Sequence, residues 1–153
     1  MSSTHPPPAP GPAGPQKPEG ILGTHRTKAS GGKVLVPREF RPRLGKRVLL
    51  KTNENGSGFY VIPWDLAAPE LDRQSRAEGR DLLAPSDTFS KRRLQHAPSE
   101  IDDRGRLLVP PEFPGRPQLT PVVYIEGLWD RAEVIPKLEY DRRIAKLIPK
   151  ELR

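Results

Sequence analysis

The segment Lys33-Val34-Leu35-Val36-Pro37-Arg38-Glu39-Phe40 returns in altered form as Arg106-Leu107-Leu108-Val109-Pro110-Pro111-Glu112-Phe113. Each copy consists of a basic residue, three aliphatic residues, proline, one variable residue, glutamate and phenylalanine. Chance rarely supplies such a combination twice in a chain of 153 residues. With one residue inserted, the match extends to two more pairs of segments, 48–51 with 122–125 and 60–63 with 133–136. The sequence therefore predicts an internal duplication.

The local pattern of each copy predicts a strand, a short helix and a hairpin. The aliphatic triplet is short, with glycine before it and proline after it, which is typical of a buried strand. Proline can then begin a helix, placing Glu39 and Glu112 in a first helical turn and Phe40 and Phe113 in the core. Prolines crowd the second copy and disfavour its helix. Two strands complete each copy, joined by turns at 53–58 and 126–130.

The fold class that follows is α+β, with two β-α-β-hairpin repeats packed as one pseudo-symmetric domain. Residues 1–20 hold seven of the 20 prolines and no aromatic residue, so we expect a disordered tail. The predicted boundaries of the remainder are 21–66 for the first repeat, 67–97 for a helical linker, 98–137 for the second repeat and 138–153 for a C-terminal helix.

Two helices are predicted inside the linker. A charged helix runs over 69–83 and is weakened by Gly79, and a shorter one follows from Ser86 or Asp87 to Leu94. In the C-terminal segment, apolar residues recur at helical spacing over 138–147.

Positive charge is concentrated in one part of the chain. The formal net charge is +7, yet the stretch from residue 26 to residue 51 contains nine basic residues and only one acidic residue, Glu39. Such a concentration suits neutralisation of phosphates, although a solvated basic surface that aids solubility would have the same composition. The nine are Arg26, Lys28, Lys33, Arg38, Arg41, Arg43, Lys46, Arg47 and Lys51.

The sequence lacks the residues that several functional classes require. The absence of cysteine excludes disulfides, thiolate metal sites and cysteine nucleophiles. The histidines are isolated, Gly56-Ser57-Gly58 has no following lysine, and no serine lies in a nucleophile elbow. We therefore expect no enzyme, cofactor, metal or small-molecule substrate. No signal-peptide pattern or membrane-spanning apolar run is found in the sequence, which predicts a cytoplasmic protein without a membrane partner.

The stretch Ile101-Asp102-Asp103-Arg104-Gly105-Arg106-Leu107-Leu108-Val109-Pro110 resembles the signature of the MraZ family, within the AbrB-like (SpoVT-AbrB) swapped-hairpin transcription factors. That pattern is an apolar residue, Asp, two variable positions, Gly-Arg, aliphatic residues and Pro, repeated twice. The resemblance extends over about residues 23–140 and includes 127–134. It implies a sequence-specific DNA-binding transcriptional regulator of a division and cell-wall gene cluster. It further implies a ring-shaped homo-oligomer, associated with the nucleoid, that binds short direct repeats in double-stranded promoter DNA.

The family's Asp-x-x-x-Arg motif falls on Asp102 and Arg106, and the matching positions in the first copy are Ala29 and Lys33. Arginine presents a planar fork to guanine, and a neighbouring carboxylate can hold that fork, whereas lysine gives a mobile point charge suited to phosphate. We therefore expect the second copy to contact bases and the first to contact the DNA backbone. The predicted DNA-binding residues are Asp102, Arg104, Arg106, Arg26, Lys28 and Lys33.

Other interpretations of the same residues are open. Asp-x-x-Gly-Arg is also the sequence of a simple turn, in which Asp accepts hydrogen bonds from backbone amides and Gly takes a positive φ. An Asp–Arg pair can equally stabilise a subunit contact. The alternative functions are an oligomeric interaction scaffold with weakened DNA binding, or an AbrB-type antitoxin whose C-terminal segment folds on a toxin. The duplication counts against the antitoxin.

Overall fold

Residues 20–79, 96–114, 116 and 119–149 are described by a computed structural model, which has a mixed α+β fold. Within these residues, eight strands join in one sheet and three α-helices accompany it. The strands are β1 (Thr24–Ser30), β2 (Lys33–Leu35), β3 (Arg47–Thr52), β4 (Phe59–Pro63), β5 (His96–Glu100), β6 (Arg106–Leu108), β7 (Val122–Gly127) and β8 (Ala132–Pro136). The helices are α1 (Arg41–Leu44), α2 (Trp64–Glu78) and α3 (Lys137–Leu147).

The strand order is β5-β3-β4-β8-β7-β1-β2-β6, and every pairing is antiparallel. The two end strands meet at an antiparallel bridge between Ile101 and Leu107, so the sheet is joined into a ring at that point. One main apolar core takes residues from both halves of the chain, and the rings of Phe59 and Phe113 meet edge to face there at 5.4 Å.

In each copy the basic residue and the first two aliphatic residues form a strand, β2 or β6, and the two strands pair with each other so that Val34 lies opposite Leu107. Both of these side chains are fully buried, whereas Leu35 and Leu108 are exposed. Each triplet therefore buries its first and last residues and exposes the middle one, so the predicted burial holds for one face of the strand. One face of the β2–β6 pair covers the core, and the other meets solvent.

The chain after Pro37 forms a turn before any helix begins. The amide of Phe40 donates to the carbonyl of Pro37 at 3.0 Å, and α1 starts only at the next residue. Glu39 therefore precedes the helix, and its prediction in the first helical turn was wrong. The reason is Pro42, which lies at the second helical position, where no intrahelical N–H is needed. Phe40 is buried as predicted.

In the second half, the corresponding residues after Pro110 also begin with a turn. The amide of Phe113 donates to the carbonyl of Pro110 at 3.1 Å, and Phe113 is buried as predicted. Among the described residues of this segment there is no α-helix, so Glu112 lies in a turn.

The two hairpins pair in matching registers. Val48 lies opposite Pro63 in the first hairpin, and Val123 lies opposite Pro136 in the second. The sequence alignment had matched Val48 with Val122 and was wrong by one residue. Because neighbouring residues of a strand face opposite sides, such a shift would exchange the buried and outer faces.

Helix α2 continues directly from β4 and packs on the outer side of the first hairpin. Ala67 and Leu71 form a second apolar cluster with Leu49 and Ile62. The helix begins five residues before the predicted start, because apolar residues at helical spacing extend ahead of Pro69. It ends at Gly79, which is in the left-handed conformation, so this glycine is a terminator rather than an interior defect. The predicted helix at 86–94 lies outside the described residues.

Helix α3 confirms the helix predicted over 138–147 and begins one residue earlier. The ring of Tyr140 stacks on Tyr124 of β7 at 3.7 Å. Arg143 of the same helix binds Glu133 of β8 with both terminal nitrogens, at 3.0 and 3.2 Å. These contacts hold α3 on the second hairpin. No helix in the described part of the chain is long and apolar enough to cross a bilayer.

Candidate nucleic-acid interface

The residues between β5 and β6 form a tight turn built around Asp102. Its carboxylate oxygen Oδ1 accepts hydrogen bonds from the amides of Arg104 and Arg106, at 2.9 and 2.8 Å. The amide of Gly105 donates to the carbonyl of Asp102 at 2.9 Å, and Gly105 has a φ of +81°. A residue with a side chain rarely adopts that φ, so glycine is required here. We call residues 102–106 the second turn.

The same carboxylate also binds the arginine of the motif. Arg106 Nε donates to Asp102 Oδ2 at 3.1 Å, and the two side chains are 40% and 39% exposed. The amide of Arg106, followed by that of Arg104, holds the pKa of the Asp102 carboxyl below its ordinary value. Asp102 therefore remains ionised at neutral pH, and one carboxylate both shapes the turn and fixes the guanidinium.

This geometry leaves the end of the Arg106 side chain available to a ligand. The ion pair uses Nε, and no residue in the described part of the chain is bonded to either terminal nitrogen. Two parallel N–H donors on a planar group match the O6 and N7 acceptors of guanine. Arg104, which is exposed in the same turn, adds a second positive charge beside it.

The corresponding turn of the first half joins β1 to β2 through Gly31 and Gly32, and we call residues 29–33 the first turn. Both glycines have positive φ, +60° and +77°, as a two-residue hairpin turn requires. Ala29, at the position that corresponds to Asp102, is buried, so no carboxylate faces Lys33 here. Lys33 therefore has no carboxylate partner within the first turn.

The other predicted residues of the first half are spread along β1. Lys28 is exposed and lines an open groove of about 630 Å³ beside the first turn, together with Arg116. Arg26 is exposed two positions earlier, and its positive charge acts on the ammonium of Lys137 in α3. The structure thus brings Lys28 and Lys33 to the first turn and places Arg26 closer to α3.

The two turns lie at opposite ends of the short β2–β6 pair, because Lys33 is opposite Leu108 and Leu35 is opposite Arg106. Three residues of strand span roughly 10 Å. The turns are also linked through the backbone: the amide of Val36 donates to the carbonyl of Gly105, and that of Val109 donates to Gly32, both at 2.8 Å.

No known family model matches this sequence, and no curated protein does.

Two arginines that the sequence analysis did not assign to the site contact these turns. Arg41 Nε donates to the carbonyl of Val36 at 2.9 Å, and its guanidinium carbon lies 2.0 Å from where a Cβ on Gly105 would be. Arg116 repeats the arrangement on Gly32, where the corresponding separation is 2.3 Å. Each arginine belongs to the half of the chain opposite its glycine. The only sequence signal is their position one and three residues after the core phenylalanines.

Within the described residues, no three His, Cys, Asp or Glu side chains are grouped so that they could hold a metal ion. The chemistry available at the two turns is hydrogen bonding and charge neutralisation by guanidinium, ammonium and backbone groups.

Proposed function

We propose that this protein is a sequence-specific DNA-binding transcriptional regulator in which the second turn contacts bases and the first turn contacts the DNA backbone. The observation that carries the proposal is the Arg106 side chain, whose Nε is held by Asp102 while no residue in the described part of the chain is bonded to its terminal nitrogens. An arginine held in this way has lost much of its rotational freedom before the ligand arrives. The two terminal nitrogens of Arg106 therefore favour a pair of acceptors of fixed geometry, such as guanine O6 and N7, over a single phosphate.

The resemblance to the MraZ family gives this chemistry its context. In our proposal the chain consists of two β-α-β-hairpin repeats of the swapped-hairpin type, packed as one pseudo-symmetric domain. Three features support it: the same order of strands in each half, the matching registers of the two hairpins, and the reciprocal backbone bonds at Gly32 and Gly105.

In the first half, Lys28 and Lys33 contact phosphates. An ammonium is a compact charge that neutralises phosphate well but fixes register poorly. Because Ala29 supplies no carboxylate, Lys33 is not fixed by an ion pair within the first turn, which suits this role. Arg26 lies farther along β1, toward α3, and extends the phosphate contacts along the DNA backbone.

Assembly into a homo-oligomer, a ring in the related family, completes the proposal. One protomer offers one copy of the second turn with its Asp102–Arg106 pair, whereas several copies on one surface would bind short direct repeats through a raised effective concentration. Large apolar side chains are available for such contacts: Trp129, Leu138 and Leu147 are 56%, 81% and 78% exposed. In the cell, such a regulator would associate with the nucleoid in the cytoplasm and control a division and cell-wall gene cluster.

The proposal is tested by fluorescence anisotropy on matched and scrambled duplexes at several salt concentrations. Arg106→Ala should erode the preference for the matched duplex, because the guanine contact is lost. Lys33→Ala should weaken binding to both duplexes alike and flatten the salt slope by about one unit. Arg76→Ala is the matched control, because Arg76 is exposed on α2 and paired with Asp72 away from both turns.

Three outcomes would count against the proposal. Indistinguishable profiles for the Arg106 and Lys33 variants would remove the division of roles between the turns. The same loss in the Arg76 variant would show that net charge alone matters. A wild-type protein that binds no duplex at low salt would favour the interaction scaffold, which needs no polyanion.

A further inference from the structure

The guanidinium of Arg41 occupies the space that a side chain at position 105 would fill. Its Cζ, Nε and Nη2 atoms all lie within 2.2 Å of the place of a Cβ on Gly105. Gly105 is buried, although it belongs to an otherwise exposed turn. Arg41 therefore covers the second turn from the opposite half of the chain.

A closed set of contacts ties this guanidinium to the turn. The amide of Val36 donates to the carbonyl of Gly105 at 2.8 Å, and the carbonyl of Val36 accepts from Arg41 Nε at 2.9 Å. Arg41 in turn lies against Gly105. The backbone at Arg41 is held by its neighbour Phe40, which is buried in the core, and by the amide of Gly45, which donates to the carbonyl of Arg41 at 2.9 Å. The core thus supports the turn through Arg41.

We propose that Arg41 is a positioning residue for Arg106, acting through the backbone of the second turn. The inference rests on the proposed function, since positioning matters only if Arg106 contacts bases. Asp102 fixes the Arg106 side chain within the turn, and Arg41 fixes the turn relative to the rest of the molecule. The specificity of the second half therefore depends on a residue of the first half.

The contact of residue 41 with Val36 and Gly105 requires an arginine, and another cationic side chain would not reproduce it. A guanidinium offers an Nε donor near its stem and a planar group that can lie against a glycine backbone. Lysine keeps the charge and most of the stem but has neither the Nε donor at that position nor the planar surface. Arg41→Lys is therefore the informative variant, since it separates geometry from charge.

The equivalent contact of Arg116 with Gly32 in the first turn supplies a matched control. Arg116 Nη1 donates to the carbonyl of Val109 at 2.8 Å and lies against Gly32 of the first turn. Arg116→Lys makes the same chemical change at the turn that carries Lys33. Because the first turn contacts the backbone in our proposal, this variant should leave the preference for the matched duplex unchanged.

Two measurements are made on the full-length variants. Anisotropy with matched and scrambled duplexes should show the preference of Arg41→Lys reduced roughly tenfold, the lower end of what one bidentate base contact contributes, at an unchanged salt slope. Native-state hydrogen exchange should show faster exchange of the Val36 and Arg106 amides. In Arg116→Lys, the Val109 amide should exchange faster while the Arg106 amide does not.

The outcomes separate this inference from the proposed function. If the wild-type protein binds no duplex, the proposed function fails, and the exchange data alone decide whether Arg41 holds the turn. An unchanged exchange rate of the Arg106 amide in Arg41→Lys overturns the inference, whatever the binding data. A preference for the matched duplex that survives in Arg41→Lys, or is lost equally in Arg116→Lys, overturns it as well.

Discussion

Replacing Gly105 by alanine tests the packing of the second turn most sharply. The φ of +81° is costly for a residue with a Cβ, by about 1–2 kcal/mol. The new methyl would also lie 2.0 Å from the guanidinium carbon of Arg41, so that side chain must leave. Its hydrogen bond to Val36 comes from a charged donor, and such bonds contribute about 1.5–3 kcal/mol. Since Arg41 is only half-buried, the lower value applies, and the expected loss of stability totals roughly 3 kcal/mol.

Gly31→Ala isolates the backbone part of that loss. Gly31 lies in the first turn with a φ of +60°, and a Cβ there would meet no atom within 4 Å. This variant should lose only the cost of the left-handed conformation, about 1–2 kcal/mol. Both free energies of unfolding are obtained from urea denaturation at one protein concentration.

The double variant Arg41→Ala/Gly105→Ala completes a double-mutant cycle between these two residues. In an Arg41→Ala background the guanidinium is already absent, so Gly105→Ala should cost no more than Gly31→Ala does in the wild type. If Gly105→Ala destabilises the wild type and the Arg41→Ala protein equally, the two residues are not coupled. The contact between the halves would then contribute nothing, and our description of the second turn would be refuted.

Three further predictions concern the ion pairs. Asp102→Asn keeps an acceptor for the two turn amides but loses the acceptor of Arg106 Nε. We therefore expect an intact fold and a preference for matched DNA reduced about tenfold, measured by anisotropy. An unchanged preference for the matched duplex would contradict the role of the Asp102–Arg106 pair. The Arg106 amide, above all, holds the pKa of Asp102 low, so the turn keeps its full stability above about pH 4 and loses it as the pH falls through the lower pKa of the folded state. A ¹³C NMR titration of the Asp102 carboxyl checks this, and a midpoint at or above the ordinary value would refute it. Arg143→Met leaves the buried carboxylate of Glu133 without its guanidinium and should cost roughly 2 kcal/mol. This is less than the roughly 3–5 kcal/mol for breaking a fully buried pair, because Arg143 is 34% exposed and Asn53 still donates to Glu133. A urea midpoint equal to wild type would contradict this.

Local chemistry made the second turn predictable from the sequence. Asp102 and Gly105 are three positions apart, and both their hydrogen bonds and the required φ lie within five residues. The burial of Phe40 and Phe113 and the helix over 138–147 were predictable for the same reason, since short-range patterns determine them. The Asp–Arg pair needed only two residues on one short turn.

Errors arose where local signals compete. Pro37 and Pro42 can each lie near the start of a helix, and only the second one does. The sequence alignment of β3 with β7 was wrong by one residue because the loops that close the two hairpins differ in length. The spacing of the sequence alone does not show where along the chain this difference falls. The start of α2 was missed because β4 continues into it without a loop.

The contact of Arg41 with Gly105 could not be predicted from local sequence patterns. The two residues are far apart in the sequence, and they meet only because β2 and β6 pair. In the sequence, Arg41 is one of nine basic residues in a stretch, and nothing marks it as different from its neighbours. Its assignment required the register of the sheet.

The central claim is tested most directly by sequencing DNA fragments selected from a random pool by the wild-type protein, beside fragments selected by Arg106→Ala. We expect the wild type to enrich short direct repeats that contain guanine, and the variant to bind the pool at low salt without enriching them. No enrichment by the wild type, or the same enriched sequence in both selections, would contradict the assignment of Arg106 as the base-contacting residue.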